Sequence, residues 1–171
     1  FCTMIIYDQQ ETLIHDRAMW DAVNRKENVD EYREVLGRYY DLEGTFTVML
    51  LYLPATGGDR AVPEEIEYIF ASRIRRFKTT HHITGMKIAL IHQENYEILV
   101  INNLDHSMIP ALRDIVFDVF RSLLREDTVH IGTGIEVQGL ADLNRSYIRA
   151  KTAIRMAIYK KVPYVPFEDM G

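Results

Sequence analysis

Apolar positions along this chain fall into runs of two kinds. Phe46 to Leu53 (FTVMLLYL) is apolar at nearly every position, which marks a fully buried strand. Ile66, Ile69, Phe70, Ile74 and Phe77 instead recur at helical spacing, on a helix that starts at Pro63 and ends near Thr79. Pro63 suits its first turn, and Glu64 and Glu65 suit its positive end. Met86–Ile91 and Tyr96–Ile101 read as two strands of a hairpin turning at His92 to Asn95. Ser107 is the expected cap of a helix to about Arg125, with Leu112, Ile115, Val116, Val119, Phe120 and Leu123 inward. Val129–Val137 is a fourth strand, Leu140–Lys160 a long helix, and Tyr164–Phe167 a short edge strand. The order β-α-β-β-α-β is the split βαβ arrangement of ferredoxin-like folds. It implies an α+β, two-layer sandwich of helices on one antiparallel sheet.

The N-terminal part reads as a helical appendage. Thr3–Tyr7 has strand composition, and Asp8 with Glu11 makes a capping box for a helix to about Asn24. Asn28 with Glu31 repeats the signal for a second helix to about Tyr40, with Val29, Tyr32, Val35, Leu36 and Tyr39 on one face. Two readings stay open for these apolar positions. They pack on the domain behind them, or Leu13, Trp20 and Val23 form part of a dimer seam.

Bulk properties narrow the function. The chain has 171 residues, 47% of them apolar, as expected of one soluble globular domain with a small addition. Its 20 Lys and Arg against 25 Asp and Glu argue against a dedicated nucleic-acid binder. The single cysteine, Cys2, excludes an internal disulfide and suits a reducing cytoplasm. No apolar run approaches the ~20 residues of a membrane span. The chain starts at Phe1 with no signal-peptide pattern, so it is expected to be a piece of a longer protein.

Candidate chemistry is sparse. Nucleotide cyclases and polymerase palms with this element order need carboxylates at the end of the first strand and at the hairpin tip, where two metal ions hold a triphosphate. Here the first strand has no carboxylate, and the tip, His92-Gln93-Glu94-Asn95-Tyr96, offers only Glu94. Gly57-Gly58-Asp59 begins like a diguanylate-cyclase motif, but Arg60 and Ala61 follow and the triplet lies in the wrong loop. His15, His81, His82, His92, His106 and His130 form no helical i, i+4 pair, and no second cysteine completes a zinc set. Neither a nucleophile elbow nor a phosphate-binding loop is present. Gly132 and Gly134 inside a strand mark a bulge or close contact with a neighbouring helix. Arg145, Arg149, Lys151, Arg155, Lys160 and Lys161 give the last helix a basic side, with no acid between Leu143 and Phe167. No metal, cofactor or catalytic residue is therefore assigned.

The stretch VHIGTGIEVQGLADLNRSYIRAKTAIRMA, Val129 to Ala157, resembles the end of the GGDEF-like domain of bacterial transcription regulators of the sugar-diacid and purine-catabolism type (CdaR/PucR). Gly132, Gly134, Arg145, Ser146, Tyr147 and Ala150 carry the resemblance, with Ile131, Ile135, Leu140, Leu143, Ala153 and Ile154. The tail VPYVPFEDMG resembles the short strand that ends such domains. The resemblance spans roughly Asp41 to Gly171 and implies a degenerate nucleotidyl-cyclase fold, with His92 to Tyr96 where cyclases carry their motif. Residues 1–41 are then a linker strand and two helices, or the end of an upstream sensor domain, and residues 42–171 the GGDEF-like domain.

The resemblance implies a cytoplasmic, non-enzymatic regulatory and oligomerisation module. It would act as a homodimer and relay the state of an effector-binding domain elsewhere to a DNA-binding helix-turn-helix that is absent from this chain. The alternatives are a domain that binds or processes nucleotides or cyclic dinucleotides, and a free-standing interaction module.

Overall fold

The computed structural model describes residues 13–15, 17–24, 32–54, 63–121 and 129–165. Strand β1 is Leu13–His15, followed by helix α1 (Arg17–Asn24) and the single turn α2 (Arg33–Leu36). The core then runs β2 (Thr45–Tyr52), α3 (Glu64–His81), β3 (Lys87–Gln93), β4 (Tyr96–Asn102), α4 (Ile109–Phe120) and β5 (His130–Thr133). A short strand β6 (Val137–Gln138) and the long helix α5 (Leu143–Lys160) complete it. The sheet order is β1-β3-β4-β2-β5, with β6 also paired to β2.

The antiparallel core matches the expected split βαβ fold. β4 lies between β2 and β3, antiparallel to both, with Tyr52 opposite Tyr96 and Gln93 opposite Tyr96 at the hairpin end. β5 pairs antiparallel with the other edge of β2. α3 and α4 cover one face, over a core that includes Met49, Leu51, Phe70, Ile74, Leu112, Val116 and Phe120. Phe70 and Phe120 meet edge to face with ring centroids 5.3 Å apart. The opposite face is also covered: α1 and α5 close a second core over Phe46, Val48, Leu50, Ile98 and Val100. This added layer explains the nearly unbroken apolar run of β2, since alternating side chains enter different cores.

Several boundaries differ from expectation. Leu13–His15 is a strand parallel to β3, so the helix expected from Asp8 starts only at Arg17. Pairing with the free edge of β3 satisfies backbone groups that a frayed first helical turn would leave to water. Thr3–Tyr7 and the capping box at Asn28 lie outside the described residues. α2 is one turn, with Leu36 and Tyr40 buried but Val35 and Tyr39 exposed, so that stretch does not present one apolar face. Asp105, rather than Ser107, caps the turn before α4: its carboxylate accepts the Ser107 N–H at 3.0 Å. The strand expected over Val129–Val137 breaks between Thr133 and Val137. The tail at Tyr164 forms no strand within the described residues, although the Ile131 N–H donates to the Pro163 carbonyl at 2.8 Å. Among the described residues no helix is long and apolar enough to cross a membrane.

Candidate functional site

The hairpin end of the sheet brings together the residues expected to mark a cyclase-like site. β3 and β4 are joined by Glu94 and Asn95, and Glu94 adopts φ 55°. Left-handed backbone costs a residue with a Cβ roughly 1–2 kcal/mol, and hairpin turns favour glycine there. The Leu53 N–H donates to the Asn95 carbonyl at 2.7 Å and fixes the turn against the end of β2. The strand pleat then divides the five motif residues between the faces. His92 points to the α3/α4 side with Glu97, whereas Gln93, Glu94 and Tyr96 line a cavity on the α5 side.

Glu97 is the site residue that sequence reasoning missed. Only 3% exposed, its carboxyl lies 3.3 Å from Nδ1 of His92. Burial, with a smaller push from Glu67, raises its pKa to about 8, so the acid is held largely neutral at neutral pH. The signal was present: in YEILVIN, Glu97 is in phase with Leu99 and Ile101 on the face that fills the first core.

The two metal ions of a nucleotide cyclase do not fit these side chains. Among the described residues the end of β2 presents Tyr52 and Leu53, and the two nearby acids, Glu94 and the buried Glu97, lie on opposite faces of the hairpin. No group of three or more metal-ligating side chains forms among the described residues. Gly57-Gly58-Asp59 lies outside them.

The family-like residues after Val129 build a seam between β5 and α5. A Cβ on Gly132 would stand 2.5 Å from the Ile154 nitrogen and collide with the Ala150 carbonyl. One on Gly134 would collide with the Ser146 carbonyl. Helix backbone therefore lies directly on strand backbone, which is why both positions lack side chains. At the break in the ladder the buried Ser146 hydroxyl accepts the Val48 N–H at 2.8 Å, and the Gly134 N–H donates to the Val48 carbonyl at 2.8 Å. Ala150 is fully buried, while Arg145 is exposed in a loose 3.7 Å pair with Asp142. Tyr147 packs edge to face on Trp20, with ring centroids 5.8 Å apart.

That contact bears on the two readings of α1, packing on the domain behind it or a dimer seam through Leu13, Trp20 and Val23. Val23 has no exposed surface, because α1 packs inward on the second core, and its carbonyl accepts the Asn144 side chain at 2.8 Å. Trp20 is half-buried on Tyr147, and Leu13 lies in the strand paired with β3. α1 therefore packs on the domain behind it, the first of the two readings of these apolar positions.

Beside α1 lies the cavity that takes Gln93, Glu94 and Tyr96, with a volume of about 460 Å³. Burial is the main cause that raises the phenol pKa values of Tyr96 and Tyr147, with Glu94 adding to both and Arg155 opposing both.

No curated protein matches the chain. The family model described as "GGDEF-like domain" matches residues 24–156, a span that runs from the end of α1 through β2 to near the end of α5. The split sheet, the hairpin and the glycine seam all fall within that span, and the chain belongs to the GGDEF-like domain family.

Proposed function

We propose that this domain is a catalytically silent regulatory module of a cytoplasmic bacterial transcription regulator of the sugar-diacid or purine-catabolism type. It relays an effector-induced change upstream to a helix-turn-helix domain downstream and helps set their oligomeric arrangement. The observation that carries this reading is the poverty of negative oxygen at the hairpin end. Among the described residues β2 ends in Tyr52 and Leu53, and the one acid buried beside it, Glu97, lies on the opposite face of the hairpin from Glu94. A site of that kind holds neither a divalent cation nor the triphosphate bridged by it. Gly132, Gly134, Ser146 and Ala150, four of the residues that carry the resemblance, pack β5 against α5, which suits a rigid relay element. Self-association would run through the N-terminal segment, where Val35 keeps 46% of its surface exposed.

The test is incubation with GTP and Mg²⁺ or Mn²⁺. No product is expected, and turnover abolished by Glu94→Ala would overturn the reading. Light scattering tests the second element: a dimer is expected, weakened by Val35→Glu, and a monomer at high concentration would remove it.

A further inference from the structure

The cavity between α1, α5 and the hairpin tip has a chemistry that the relay reading does not use. Its walls are aromatic: Trp20 and Tyr147 meet at an interplanar angle of 89°, and Tyr96 stands across from them on β4. Aliphatic side chains of β2, β4 and α5 form its floor. Lys151 and Arg155 lie one helical turn apart on α5, so both cations reach the same mouth. The Lys151 ammonium sits 5.3 Å from the Tyr147 ring centroid, a cation–π contact rather than an ion pair. Among the described residues neither Lys151 nor Arg155 forms a salt bridge, and the chain has no acid from Leu143 to Val165. Among the described residues Glu94 is the one acid lining the cavity.

We infer that this cavity is a binding site for a small planar aromatic carboxylate. The ring would lie among Trp20, Tyr96 and Tyr147. Its carboxylate would sit between Lys151 and Arg155, leaving Glu94 to accept from a ring hydroxyl or N–H. Among the described residues two cations face one acid there, which favours an anion. The volume of about 460 Å³ suits one or two rings. Such a ligand would join α1 to α5 and would do so whether or not the domain serves as a relay.

Trp20 is the chain's only tryptophan, so its emission reports on the cavity directly. The probes are phenylacetate, benzoate and 1-naphthoate, each against its uncharged amide, with acetate as the non-aromatic anion. Calorimetry follows the same titrations without relying on emission. Saturable binding of at least one aromatic carboxylate is expected, about tenfold or more tighter than its amide and than acetate, a difference of about 1.4 kcal/mol. Lys151→Gln with Arg155→Gln should remove that preference while leaving the melting temperature in place. The inference is overturned if none of the three acids binds the folded protein, if acid and amide bind alike, or if the double variant binds as the parent does. Loss of this binding leaves the GTP result above untouched, so the two readings fail separately.

Discussion

The two faces of the sheet are built on opposite principles. Under α3 and α4, large side chains fill the space between helix and strand, with Phe70, Ile74, Phe77 and Phe120 interlocked over Met49 and Leu51. Under α5 the space itself is removed at the β5 edge, because Gly132 and Gly134 bring helix and strand backbones into contact. The first face is filled by side chains, yet it buries an ionisable acid. The second is tight at β5 and opens into a cavity towards the hairpin tip. Volume is thus saved along one side of α5 and left free along the adjoining side. The largest effect should come from disturbing the tight side. Gly134→Ala places a methyl against the Ser146 carbonyl, where backbone rather than a flexible side chain must give way. Overpacking of this kind costs about 3 kcal/mol or more. Loss of the cooperative urea transition is expected, and a variant within about 1 kcal/mol of the parent would show that α5 can lift away freely.

On the other face the next largest effect depends on pH. The Glu97 carboxyl titrates at about 8 when folded, against 4.5 for the unperturbed group. Below pH 4.5 it is protonated in both states. Between there and about 8 the unfolded chain releases the proton while the folded one keeps it, so stability falls as pH rises. Each unit of that window is worth about 1.4 kcal/mol, and the span from pH 5 to 8 roughly 4 kcal/mol. Glu97→Gln keeps the shape without the charge. Denaturant titrations from pH 5 to 8 should show a declining parent and a flatter variant that is the more stable of the two at pH 8. Parallel curves would mean that Glu97 ionises without cost, through water or through a charged His92.

These two residues also show what the sequence disclosed. The order of strands and helices, the hairpin tip and the closeness of Gly132 and Gly134 to a helix were all readable, because each follows from local periodicity or from a missing Cβ. The second helical layer was encoded too. An apolar residue at every position from Phe46 to Leu51, apart from Thr47, requires cover on both faces of β2. Read as one buried strand, that run was not followed through to a third layer. The strand at Leu13–His15 was not readable, since its partner, Ile88 to Leu90, lies some seventy residues away and capping signals nearby favoured a helix. The cavity was out of reach for the same reason: Trp20, Tyr96 and Tyr147 belong to three separate elements. Their association depends on α1 folding back over α5, and no local pattern records that.

A smaller effect separates hydrogen bonding from packing at the seam. Ser146 is fully buried, and its hydroxyl is the partner of the Val48 N–H where the strand ladder breaks. Ser146→Ala fits the space but leaves that donor buried without an acceptor, at a cost of about 1–3 kcal/mol. Thermal unfolding should show the loss without a change in secondary structure. An unaltered melting temperature would imply that water enters the break, and the seam would then be wetter than its glycine contacts suggest.

The smallest effect lies at the open end of the same face, and its expected sign is the reverse. Glu94 holds φ 55° at the first position of the turn. Glycine would relieve about 1–2 kcal/mol of steric cost there but adds roughly 0.4–1 kcal/mol of freedom to the unfolded chain. Glu94→Gly should therefore stabilise the domain by about 0.5–1 kcal/mol, a rise of a few degrees in melting temperature. Glu94→Ala keeps the strained backbone and should gain nothing. A parent more stable than the glycine variant would mean that the Glu94 carboxylate already binds something in the folded chain. Lys151 and Arg155, which line the same cavity, are the cations able to supply that contact. The cavity mouth would then be closed by its own side chain, in contrast to the permanently sealed seam at β5.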